Sequence, residues 1–121
     1  MKAGLLFGTV TALLLGCASA AVGRAVPDDL LELYDRARTY RMVASSRICA
    51  DPALRPRHEA AASRLEVARR ALSVRYVDPR LDREPPPPFA DRSTLCTNAA
   101  AAATAVSGFE AAVAGLEARL H

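Results

Sequence analysis

Tryptophan is absent from this 121-residue chain, aromatic residues make up only 5% of it, and apart from Lys2 every cation is an arginine. A core that lacks tryptophan and is rich in alanine buries little area per residue, so the fold needs a further source of stability. There are two histidines, His58 and His121, and three cysteines, Cys17, Cys49 and Cys96. That is too sparse a set of ligands for a metal site. No Cys-x-x-Cys pair occurs, which argues against a redox dithiol and against haem attachment. Phosphate loops and nucleophile motifs are missing too, so no catalysis, cofactor or metal is expected. The length excludes a two-domain enzyme.

What is present favours a folded chain, with 51% hydrophobic and 24% charged residues and a formal net charge of +3. The arginines are spread along the sequence and nearly balanced by acids, with no basic face carrying interleaved aromatics. Nucleic-acid binding is therefore not expected.

Residues 1–20 read as an export signal: Met1-Lys2, an apolar run from Leu5 to Leu15, then small residues to Ala21. The run is too short to span a bilayer, and no other segment is expected to span. Two processing sites compete. Leu14-Leu15-Gly16-Cys17 fits a bacterial lipobox in which Cys17 takes the lipid, whereas Ala18-Ser19-Ala20 fits an ordinary signal peptidase that cuts before Ala21. The expected location follows the cut: periplasm or outer membrane for the lipoprotein, or secretion for the soluble form. In both, Cys49 and Cys96 remain as an even pair in an oxidising compartment, which predicts one disulfide.

The remainder, 21–121, reads as one all-α domain, a three-helix bundle. Pro27, Asp28, Asp29 and Glu32 mark a helix start, and Leu30, Leu33, Ala37, Tyr40, Ala44 and Ile48 give its apolar face, predicting a helix over about 28–48. Asp51-Pro52 reads as a cap, and Pro56 restricts Ala53 to Arg55 to a single turn before the second helix, about 56–77. Its apolar stripe is Ala61, Leu65, Ala68, Leu72 and Tyr76. Residues 78–92, with Pro79 and Pro85 to Pro88, form an extended, stiff connector that has only Leu81 and Phe89 to bury; docking of Pro85 to Phe89 into a proline-reading domain is the alternative. The third helix is expected over about 93–120, capped by Asp91 or Ser93. Leu95, Ala99, Ala102, Val106, Phe109, Val113, Leu116 and Leu120 alternate steps of four and three along it. A second stripe, Ala101, Ala105, Gly108, Ala112 and Gly115, is small throughout; it suits packing within the chain, or homo-oligomerisation.

The disulfide constrains topology. Cys49 ends the first helix and Cys96 begins the third, and bridged Cα atoms lie within about 7 Å. Helices one and three must then run antiparallel and helices two and three parallel, with the connector carrying the chain back alongside the second helix.

His58-Glu59 is the nearest thing to an acid–base pair, and both read as surface residues near a helix start. Tyr34, Tyr40 and Tyr76 read as core residues with wet hydroxyls. One local pattern points further. Ile48-Cys49-Ala50-Asp51-Pro52-Ala53-Leu54 resembles the Ile-Cys-x-Asp-Pro-x-Leu signature of small bacterial envelope proteins related to lysozyme inhibitors; that family adds a Leu-Asp pair and more cysteines, where this chain has Arg57 and His58. The resemblance implies inhibition of a lysozyme or another secreted hydrolase. Read from the residues alone, the same stretch is a disulfide anchor followed by a helix cap. The expectation is an exported protein acting by protein–protein contact, with hydrolase inhibition or a periplasmic chaperone or stress role as alternatives.

Overall fold

The computed structural model describes residues 24–87 and 95–121. The export signal, Cys17, Phe89, Asp91 and Ser93 lie outside these described residues. Within them, helices α1 (Asp28–Arg47), α2 (Arg55–Arg75) and α3 (Ala99–Leu120) pack together, and no strand occurs.

Helix α1 starts directly after Pro27, with Asp28 and Asp29 at the positive end of its dipole, and closes in a 3₁₀ turn, Ile48–Ala50. Its buried residues are Leu30, Leu31, Tyr34, Ala37 and Ala44. Leu33 and Ile48 are only half-buried, and Tyr40 is exposed. The buried face is thus turned from the expected one towards Leu31 and Tyr34. The cause is a further neighbour: besides α2 and α3, this helix carries the connector, whose Leu81 is buried and whose Leu81 carbonyl accepts the Tyr34 hydroxyl.

Asp51 caps the 3₁₀ turn Pro52–Leu54, accepting from the Ala53 amide at 3.2 Å. Helix α2 then begins at Arg55 with Pro56 in its first turn, where a missing amide hydrogen leaves no bond unmade. It ends at Arg75, two residues earlier than expected, because the Val77 amide donates to the Arg24 carbonyl (2.9 Å) and Pro79 holds Asp78 extended. Helix α3 begins at Ala99, not 93. Asn98 is the cap, its Oδ1 accepting from the Ala101 amide at 2.9 Å, and the preceding turn buries Leu95 and presents Cys96 to its partner. Every other member of the expected α3 seam is buried except Ala99.

Cys49 and Cys96 are disulfide-bonded, with Cα atoms 5.0 Å apart. At the opposite pole Arg119 pairs with Asp29, so α1 and α3 are antiparallel. Arg57 with Glu110 and Arg64 with Glu117 run in step, so α2 and α3 are parallel. The described part of the connector, residues 78–87, is held on α1, where α2 was expected: Asp78 lies beside Val26, Leu81 against Tyr34, and the Arg83 carbonyl accepts from Arg38. By length and composition α3 is apolar enough to cross a membrane, unlike the expectation for the segments after the signal. Here its apolar seam is spent on the bundle core, where Val106, Phe109, Val113 and Leu116 are fully buried.

Candidate contact surface

The residues with the most chemical potential are used for structure. The Asp78 carboxylate is buried and accepts from the Val26 amide (3.1 Å), the Arg80 amide (3.0 Å) and the Arg80 guanidinium (2.7 Å). Hydrogen bonding by Arg80 holds this carboxyl well below the usual range. It ties the segment before α1 to the start of the connector. The Arg38 guanidinium stacks 4.6 Å from the Tyr34 ring centre and donates to the Leu81 and Arg83 carbonyls. Burial raises the Tyr34 phenol, and its hydroxyl donates to the Leu81 carbonyl.

His58 is not on the surface. It is 8% exposed, its ring centre lies 5.4 Å from that of Phe109, and its Nε2 is buried with no hydrogen-bond partner among the described residues. Its register gave the signal: His58, Ala61, Leu65, Ala68 and Leu72 step by three and four, one continuous seam. Glu59 is exposed, so the two neighbours do not share a face of α2. Tyr40 is 39% exposed and Tyr76 half-buried. Among the described residues no group of histidine, cysteine and carboxylate side chains is placed to hold a metal. Cys49 and Cys96 are brought together, both at the surface. In the stretch Ile48–Leu54, Cys49 anchors the disulfide, Asp51 caps a turn and Leu54 is in the core.

The surface of α3 is different in kind. Its three charges are all paired with residues of the neighbouring helices at the surface. Arg57 bonds Glu110 and Ser107, Arg64 bonds Glu117, and each guanidinium holds its glutamate below the usual carboxylate range. Arg119 is engaged by Asp29. What faces outward is Ala100, Thr104, Ser107, Ala111, Ala114 and Ala118, all exposed, spaced by four and three, and uncharged. The small stripe is the neighbouring one, and it packs within the chain, the first of its two expected uses. Ala105 is buried, Ala112 half-buried, and Gly108 sits beneath the Tyr40 ring. Only Gly115 of that stripe has open space above it. The open stripe was detectable from the charges, since Glu110, Glu117 and Arg119 flank it without interrupting it. On one edge Arg36, Tyr40, Gly108, Ala111 and Ala112 line a hollow of about 250 Å³, so a partner lying on α3 meets an aromatic rim. No protein-family model matches the chain, and no curated protein or solved structure matches it either.

Proposed function

We propose that this is an exported cell-envelope protein that acts by protein–protein contact through the outer face of α3, without catalysis. The Cys49–Cys96 bond supports the compartment, because such bonds persist where thiols are oxidised. The observation that carries the mode of action is the uncharged outer stripe of α3. A solvent-facing helix surface normally carries charge, and depletion of charge marks the centre of a contact patch. Cys17 is the lipid anchor in this reading, and cleavage before Ala21 gives the soluble form.

The test uses Ala111, which is exposed at the centre of the stripe. Intact mass of protein from the host envelope identifies the processed end, and site-specific photo-crosslinking beside Ala111 captures the partner. Ala111→Arg should abolish the cross-link while leaving thermal unfolding unchanged. A cross-link to a second copy would make the face a homo-oligomer interface. A cross-link to a lysozyme or another hydrolase, with loss of its activity, would make the protein an inhibitor. A spread over many unfolded clients would make it a chaperone. Retention of an unchanged cross-link pattern in Ala111→Arg would refute the α3 face as the contact surface.

A further inference from the structure

Helix α2 also has an outer face, and its chemistry is different. Ala60, Ser63, Val67, Arg70 and Val74 are exposed along one line, continued by Val77 just beyond the helix. Val67 is 64% exposed, Val74 88% and Val77 64%. These valines have no place in the bundle, whose seam on α2 runs along the opposite side through Leu65 and Leu72. Cations surround them. Helix α2 carries six arginines against two glutamates, Glu59 and Glu66. Glu66 is already bonded to Arg69 and lies 3.6 Å from Arg70. Arg75 and Ala71 share with Val67, Leu120 and the Arg64–Glu117 pair a shallow groove of about 120 Å³ along one flank.

We propose that this face of α2 docks on an anionic phospholipid bilayer, with Val67, Val74 and Val77 entering the headgroup boundary and Arg70 and Arg75 meeting lipid phosphates. An amphipathic helix with arginines beside its apolar stripe has the composition that lies in the plane of a membrane surface. Two observations single out a membrane from other occupants. The first is charge complementarity, since the six arginines outnumber the four glutamates on the helix or paired with it, Glu59, Glu66, Glu110 and Glu117, and a surface rich in phosphate satisfies the excess. The second is the direction from which the chain arrives. The Val77 amide is bonded to the Arg24 carbonyl, so the chain enters the bundle at the valine-bearing end of α2. Cys17 precedes Arg24 by seven positions, a span of about 25 Å at most. A bilayer holding Cys17 is therefore within reach of Val74 and Val77. In that respect the proposal rests on the exported reading above. A lipid chain and a basic surface would then act as the paired signals that stable membrane attachment requires.

The test uses protein beginning at Ala21, which carries no lipid; the described residues from Arg24 onward supply a closed core and the disulfide. Its binding is measured by co-sedimentation with vesicles of equal parts phosphatidylglycerol and phosphatidylcholine, and with vesicles of phosphatidylcholine alone. The expected result is at least about tenfold stronger partition onto the anionic vesicles, weakened by salt. The triple variant Val67→Ser, Val74→Ser and Val77→Ser should fall to the level seen on neutral vesicles. Arg70→Gln should weaken only the anionic binding. All four positions are exposed, and unchanged circular-dichroism melts verify that the variants fold. Equal partition onto both vesicles, or full binding by the triple variant, would overturn the proposal. So would a lipid-free dimer in sedimentation velocity that the valine substitutions dissociate, which would assign the face to a second copy. Because no acyl chain is present, failure here leaves the Cys17 and α3 readings standing, and their failure leaves this result intact.

Discussion

The Tyr34 hydroxyl donates to the Leu81 carbonyl at 3.1 Å, joining the middle of α1 to the start of the connector across 47 positions of sequence. This bond, with the Arg38 contacts beside it, fixes the connector on α1 instead of leaving it a free tether. Tyr34→Phe removes the donor in a buried site and should cost about 1–2 kcal/mol in chemical denaturation. Hydrogen exchange should rise in the connector before it rises in α3.

The same tyrosine sets an alkaline limit. Burial raises its phenol above the ordinary value, so the neutral form is favoured by folding. The resulting stability is fully present below about pH 10 and is lost as pH rises through the folded-state value. A denaturation series towards high pH should show this fall in the native protein and a shallower one in Tyr34→Phe.

Asp78 governs the acid side. Its folded pKa is depressed by Arg80 and by the Arg80 and Val26 amides, so its stabilisation is present above about pH 4 and is lost as pH falls further. Asp78→Asn should lower stability at neutral pH and flatten the acid limb. An acid limb as steep in Asp78→Asn as in the native protein would show that the carboxylate is not the controlling group.

The disulfide closes a separation of 47 residues, for which chain entropy gives about 4 kcal/mol. Reduction, or paired Cys49→Ala and Cys96→Ala, should lower the denaturation midpoint accordingly. An alanine-rich core has little in reserve to offset that loss.

The two described glycines of α3 make an internal control. A Cβ at Gly115 meets nothing within 4 Å, so Gly115→Ala should stabilise by about 0.5–1 kcal/mol through helix propensity alone. A Cβ at Gly108 would lie 2.7 Å from the Tyr40 ring, so Gly108→Ala must push that ring aside and should gain less or nothing. Equal melting shifts for both would contradict the packing of Tyr40 over Gly108.

How much of this was readable in advance depended on how many neighbours each element has. The α3 seam was nearly complete in the sequence because that helix buries a single broad face, and a fault-free run of fours and threes marks such a face. The third-helix pairing followed from Cys49 and Cys96 alone. Helix α1 was misjudged at Leu33 and Tyr40 because it carries the connector as well as the two other helices, and periodicity gives no sign of a connector docking on Tyr34. The start of α3 was expected at Asp91 or Ser93, and Asn98, an equally competent cap, was passed over; the choice is made at Leu95, which is buried before the helix begins. His58 was assigned by residue type when its register placed it on the seam. The small stripe of α3 packs within the chain as its first reading had it, but which side chain covers it was not legible: Tyr40 lies over Gly108, a contact between residues 68 positions apart that no local pattern encodes.

The cross-link has a consequence for the chain once it is cut. Arg83 and Glu84 are exposed in the connector, between α2 and α3. A protease that nicks the backbone there divides the sequence into a fragment bearing Cys49 and a fragment bearing Cys96. Neither fragment can diffuse away, because the bond joining them spans the nick. The clipped protein would therefore migrate as one species until reductant is added and then as two, retaining its assembled helices through an injury that would dismantle an unbridged bundle.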